Sequence, residues 1–259
     1  MTGIQPFSPF YISPEKRRAL IETARGQRSA TRYFAGGKVV NTYSGECYAA
    51  NVAVYEDRIA YVGQSAAMVG EETEIVDIAG KVLCPGYIEP HSHPFLLYNP
   101  VSYSEKIMAL GTTLVVHDNW VVNHDDFRRM PDFFRWFRQM PIRTFWSIRL
   151  DLEPAEHDPD NREFVRWLIS RPDIIQVGEV TDLRAVLECD EIMADWIETS
   201  LQAGKRVEMH APGASGDTVG SLVAGGVTAC HESITAEEIV RRLRHGLYAT
   251  IRYSTLRPD

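Results

Sequence analysis

The sequence predicts an α/β chain: a (β/α)8-type barrel, incomplete with about seven strands present, preceded by a small N-terminal β-sandwich segment. Three observations predict it. Beyond Pro85, short apolar strands alternate with helical stretches, the order that builds parallel βα units. Between Tyr33 and Val82 the chain carries short alternating runs broken by Gly, Asn and Asp, the pattern of a small β domain. A length of 259 residues, 44% of them hydrophobic and 24% charged, is enough to bury a substantial core. The expected organisation is an arm and helix over 1–32, the small β domain over 33–84 and the barrel over 85–259.

The elements follow in order. Ser13-Pro14-Glu15 opens a charged helix of roughly a dozen residues, with Ser as N-cap and Pro at the first helical position. The β segment contains the runs Lys38–Thr42, Asn51–Tyr55, Arg58–Val62 and Glu74–Ile78. In the barrel, the strand leading to His91 is followed by Thr112–His117, Arg143–Leu150, Ile174–Glu179, Arg206–His210, Val227–His231 and Leu247–Arg252. Periodicity alone does not separate a closed barrel from an open sheet. The stretch from Gly86 to Asp259 is also shorter than the ~250 residues a full barrel takes, and no eighth strand can be assigned. Either the chain is a fragment or something else closes the sheet, because an unclosed barrel leaves two edges with unpaired backbone groups.

Bulk properties narrow the function. A formal charge of −8 works against a polyanionic partner, so nucleic acid is excluded and a small or uncharged substrate is expected. The four cysteines, Cys47, Cys84, Cys189 and Cys230, show no C-x-x-C spacing, and the N-terminus lacks the plan of a secretory signal. A reduced, cytoplasmic compartment is expected. No stretch approaches the roughly 18–20 apolar residues that cross a bilayer, so no membrane association is expected. Oligomeric state is open, a homo-oligomer included.

The most informative motif is His91-x-His93, at the end of an apolar strand. Positions i and i+2 of a strand share a face, and two neutral imidazoles side by side form half of a metal site. A chance pair among eight histidines would simply be solvated, so the rest of the chain must supply donors. Three candidates sit at the ends of later strands: Glu179, His210 and His231. All strand C-termini of a parallel barrel open on one rim, where residues distant in sequence converge. A lone Glu or His at such a place is more often solvated or packed; donors at four strand ends weaken that reading. A carboxylate can bridge two cations while removing one unit of charge, so Glu179 would lie between one cation on His91 and His93 and another on His210 and His231. Cys230 should point opposite to His231 as a packing thiol. Trp136, Trp146, Trp167 and Trp196 read as core or helix-packing residues, and His117 as a reserve ligand.

The phrase Cys84-Pro85-Gly86-Tyr87-Ile88-Glu89-Pro90-His91-Ser92-His93 resembles the first-strand signature of the amidohydrolase superfamily. Val177-Gly178-Glu179, His210-Ala211-Pro212-Gly213 and Cys230-His231-Glu232 look most like its bacterial adenine deaminase family, in which a glutamate bridges the metals where many relatives use a carboxylated lysine. The resemblance runs from about Tyr33 to the end. It implies a metal-dependent hydrolase barrel holding two divalent ions, Mn2+ or Fe2+ with Zn2+ an option. It further implies hydrolytic deamination of adenine to hypoxanthine and ammonia, hydroxide from the metal pair attacking C6. Glu232 would contact the base or carry protons, and Arg252 would bind substrate. Family members are longer and end their eighth strand in a metal-binding, proton-shuttling aspartate, to which no residue here corresponds. Glu89-Pro90 replaces the usual Asp-x, and His117-Asp118-Asn119-Trp120 replaces Asp-Pro-His-Glu. Two other readings stay open: another amidohydrolase, such as a deacetylase or cyclic amidase, and a catalytically silent scaffold lacking the last strand.

Overall fold

The computed structural model describes residues 12–93, 96, 98–120, 127–149 and 159–251. Its internal contacts cluster into two units that divide between Pro85 and Gly86.

In the first unit, the helix Pro14–Ala24 starts where its capping chemistry dictates. Ser13 Oγ accepts from Lys16 N at 3.2 Å, and Pro14 occupies the first turn, where a missing N–H costs nothing. The strands β1 (Arg32–Ala35), β2 (Lys38–Asn41), β3 (Glu46–Ala49), β4 (Asn51–Tyr55), β5 (Arg58–Gly63), β6 (Glu74–Asp77) and β7 (Val82–Leu83) make two small sheets, ordered β5-β4-β1-β6 and β3-β2-β7. All four residues of β3 are exposed, so it carries no inside-outside alternation to read from sequence. Tyr33, Ala53, Met68 and Ala30 form a compact core, and the Tyr33 hydroxyl donates to Ser65 O at 2.8 Å.

The second unit holds β8 (Tyr87–Ser92), β9 (Thr112–Asp118), β10 (Arg143–Ile148), β11 (Ile174–Val180), β12 (Arg206–Met209), β13 (Ala229–Cys230) and β14 (Tyr248–Ala249). These form one seven-stranded sheet in sequence order, with every neighbouring pair parallel. Such an order requires a crossover after each strand, and helices including Pro100–Ala109, Met130–Phe137, Pro159–Ser170, Glu191–Gln202, Gly216–Ala224 and Ala236–Arg244 supply it. This is the strand sequence of a (β/α) barrel, as expected. The side chains of Asn99, Asp190, Ser215 and Thr235 cap four of these helices, and Thr235 forms a reciprocal capping box with Glu238.

β13 and β14 are two residues each, shorter than the apolar runs around them suggest. Val227 and Leu247 are buried, but their amides close the preceding helices by bonding Leu222 O and Arg242 O. Burial extends past the ladder, and hydrophobicity reports burial alone. The main core lies between sheet and helices, where Val177, Val180, Val207 and Met209 pack with Val165, Ile169, Trp196 and Leu222. Full burial of each such side chain stabilises by about 1.5–3 kcal/mol.

Candidate metal centre

Strand alternation sends apolar residues to the helices and polar ones to the opposite face. On β12, Val207 and Met209 enter the helix-side core, which leaves Glu208, and His210 just beyond the strand, for the other side. On β10, Trp146 and Ile148 pack with Phe134 and Phe137, while Ser147 and Arg149 alternate with them. On β9, His117 packs among Tyr103, Phe137 and Trp146, and the next residue, Asp118, meets Arg149. β11 needs a local device: Val177 pairs with Val207 and Val180 with Met209, so two residues face one across a register shift. That bulge lets Val177 and Val180 both serve the core while Glu179 turns to the polar side. Gly178, within the bulge, has φ of 131°, and a Cβ there would lie 2.3 Å from Glu208 O. Only glycine fits.

The imidazoles converge on one carboxylate oxygen. His91 Nε2 and His93 Nε2 each lie 3.0 Å from Glu179 Oε1 and 2.9 Å from one another. His231 Nε2 is 3.3 Å from the same oxygen, and His210 Nδ1 is 3.2 Å from His231 Nε2 and 3.9 Å from Glu179 Oε2. Glu179 Oε2 accepts from Arg149 Nη2 at 2.8 Å, and Arg149 Nε donates to Asp118 Oδ2 at 3.0 Å. Glu208 Oε2 lies 2.9 Å from His91 Nδ1 and accepts from Gln176 Nε2 at 3.0 Å. The structure therefore brings together His91, His93, Glu179, His210 and His231. It places Glu232 beside them, its Oε2 3.8 Å from His210 Nδ1. Arg252, like His124 and His157, lies outside the described residues.

Several charges sit out of water here, and each answers its neighbours. Burial alone would push the His91 imidazole down, but Glu179 and Glu208 on its two sides push it up to about 10. Burial disfavours the Glu179 carboxylate, yet His231, His91, His93 and Arg149 together hold it far below the usual range. Glu208 is likewise pulled down to about 2, against burial, by His231 and His91. Burial raises Asp118 despite Arg149 beside it. The result is a nest of carboxylates whose counter-charges, without a cation, are protons on imidazoles and one guanidinium.

The donor set fits divalent cations. His91, His93, Asp118 and Glu179 offer ligand atoms within 4.8 Å of one another, and so do Glu179, His210 and His231. Hydrogen bonding alone leaves the group incomplete. The 2.9 Å contact between the Nε2 atoms of His91 and His93 accommodates only one proton. Imidazole nitrogen and carboxylate oxygen are the ligands that zinc, manganese and iron accept.

Some expectations need correction. His117 is no reserve ligand: it is fully buried on the helix side, its Nδ1 hydrogen-bonded to Ser92 Oγ at 2.8 Å, and burial holds it down to about 3, a neutral packing ring. Cys230 is buried and accepts from Arg242 Nε at 3.1 Å, in keeping with a packing thiol. Trp146 and Trp196 are core residues; Trp136 and Trp167 are partly exposed, Trp136 meeting Phe137 edge-on and Trp167 lying tilted against Phe164. The sequence reading missed Asp118, Arg149, Gln176 and Glu208. A signal existed for three of them. Polar residues alternating with buried apolar ones in Trp146-Ser147-Ile148-Arg149 and Gln176-Val177, and in Val207-Glu208-Met209-His210, share the face of Glu179 and His210.

Comparison with known proteins adds relatives. The chain is similar to “Putative adenine deaminase YerA” of Bacillus subtilis, 32% identical over 246 residues that span 93% of this chain and 42% of that protein. It is 34% identical over 256 residues to a Bacillus cereus protein of the same description, covering 95% and 43%, and 31% identical over 249 residues to adenine deaminase of Moorella thermoacetica, covering 92% and 41%. The first two are described as putative adenine deaminase and the third as adenine deaminase. The resemblance read from the strand-end motifs is borne out, over a chain that spans about two fifths of the length of its curated relatives. No protein-family model matches the chain. Among solved structures it is similar to an N-acyl-D-glutamate deacylase from Bordetella bronchiseptica in complex with zinc and a phosphonate inhibitor, with TM-score 0.60, 14% identity, and coverage of 86% of this chain and 58% of that one. It is also similar to a prolidase complexed with N-methylphosphonate-L-proline, with TM-score 0.54, 14% identity and coverage of 84% and 65%. At such identity the likeness is one of fold.

Proposed function

We propose that this chain carries the metal centre of a metal-dependent aminohydrolase that converts adenine to hypoxanthine and ammonia. The observation that carries the reading is the meeting of His91, His93, Glu179, His210 and His231, from four strand ends, on a chain whose relatives bear the adenine deaminase name. His91 and His93 would hold one divalent cation and His210 and His231 a second, with Glu179 between them. Such cations supply Lewis acidity that makes a water acidic enough to lose its proton near neutral pH.

The protein's own groups do the rest. Arg149 holds Glu179 Oε2 and Asp118 at once, so the shared carboxylate keeps one orientation while protons move around it. Deamination at C6 needs a group that takes a proton from the nucleophile and delivers one to the departing nitrogen. We assign that shuttle to Glu232, whose partly accessible carboxylate neighbours His210. The Asp118 carboxylate, 3.9 Å from His93 Nδ1, steadies that ring. Arg252 is assigned to substrate on the family resemblance. We further assign the protein to cytoplasmic purine salvage, with manganese or iron as metal; among the described residues no helix is long and apolar enough to cross a membrane.

The test is direct. The purified chain, reconstituted with Mn2+ or Fe2+, is incubated with adenine, and hypoxanthine and ammonia are followed by absorbance and a coupled assay. Equal amounts of both are expected. Ammonia released from other amines but never from adenine would reject the adenine assignment.

A further inference from the structure

Glu208 belongs to none of the strand-end motifs, yet it is 2% exposed and touches both sides of the site. Its Oε2 lies 2.9 Å from His91 Nδ1 and 3.5 Å from His231 Nδ1. The two rings stack, with centroids 4.1 Å apart and planes 19° from parallel. Parallel rings whose Nδ1 atoms face one carboxylate direct their Nε2 atoms together the other way, where Glu179 Oε1 lies 3.0 and 3.3 Å from them. Geometry alone would also allow a cation among Glu208 and the two Nδ1 atoms, since His91, Glu208 and His231 form a cluster of metal-binding type. Gln176 decides between the two sides. Its amide Nε2 donates to the same Oε2 at 3.0 Å, so N–H dipoles point at the place where a cation would need lone pairs. The Nε2 side instead gathers His91, His93, His231 and Glu179, and Arg149 donates to the far oxygen of Glu179.

We propose that Glu208 is a positioning residue and not a ligand: one buried carboxylate keeps the proton on Nδ1 of both His91 and His231, and so presents both Nε2 lone pairs to the metal. A single anion would thereby couple a ligand of each half of the site. Carboxylates commonly fix the tautomer and orientation of metal-bound histidine in this way; here one carboxylate faces two such rings, from β8 and from just beyond β13.

The inference rests on the metal-centre reading, and the experiment separates the two. Co2+ is titrated into the metal-free full chain, in wild type, Glu208→Gln and His93→Ala, reading the affinity and the visible absorption bands of the bound ion. Glu208→Gln retains an acceptor for Nδ1–H while losing the charge. It is expected to keep the wild-type bands and stoichiometry with Kd weakened about 10–100-fold, whereas His93→Ala alters the bands. Altered bands in Glu208→Gln as in His93→Ala, or an unchanged Kd, would overturn the positioning role. Absence of Co2+ binding by folded wild type would overturn the metal centre itself. Should Glu208→Gln fail to fold, Gln176→Leu takes its place: unchanged bands with a weaker Kd support the inference, and an unchanged Kd overturns it.

Discussion

Glu179 is the residue on which the site turns, because three imidazole nitrogens and a guanidinium all address its two oxygens. Glu179→Gln keeps the shape and removes the charge, and should weaken Mn2+ binding by about 10²-fold or more, beyond the range of a residue that only orients ligands. Equilibrium dialysis with metal analysis measures it, and an unchanged affinity would remove Glu179 from the ligand set. The protons at the site predict a pH dependence. His91, pushed up to about 10 by Glu179 and Glu208, is charged at neutral pH in the metal-free protein and must give up that proton to bind a cation. Below about 10, then, each pH unit of acidification should weaken metal affinity roughly tenfold for each proton released. Calorimetric titrations at pH 7 and 8 in buffers of different ionisation enthalpy read both slope and proton count. At this scale the convergence of His91, His93, Glu179, His210 and His231 was legible because each ends an apolar run. Glu208 and Arg149 were not read, since a charged residue within or just after a strand resembles a solvated one until its apolar neighbours are known to face helices.

At the level of elements, the bulge in β11 is what allows one strand to feed both core and site. Gly178 makes it, through a backbone conformation that side chains resist and an approach to Glu208 O that a Cβ would obstruct. Gly178→Ala should cost about 2–4 kcal/mol of stability. Gly204 also has positive φ but open space around its Cβ position, so Gly204→Ala should cost only about 1 kcal/mol. Urea unfolding of both variants compares them; equal costs would mean that the close approach at Gly178 does not matter. The strands themselves were readable from apolar runs. Their ends were not, because Val227 and Leu247 are buried by helix-closing turns and not by the ladder. A register shift such as the one around Gly178 also leaves no periodic trace in sequence.

For the second unit as a whole, parallel order followed from strand-helix alternation, whereas closure lies beyond what alternation can tell. Among the described residues the sheet runs from β8 to β14, and each of these strands pairs on one side only. Tyr87, Ile88, Tyr248 and Ile251, on or next to these two strands, are each more than half exposed. Unpaired edges flanked by apolar side chains seek partners, so the isolated chain should self-associate as its concentration rises. Sedimentation velocity across a hundredfold concentration range checks this, and a monomer throughout would show that the edges are protected. The central claim is that four strand ends build one centre for two cations, and anomalous diffraction at the manganese edge, from crystals grown with Mn2+, tests it most directly. A peak within ~2.0–2.3 Å of His91 Nε2, His93 Nε2 and a Glu179 oxygen is predicted; a fully ordered site with no peak, or a peak held by Glu208 and the Nδ1 atoms, would contradict it.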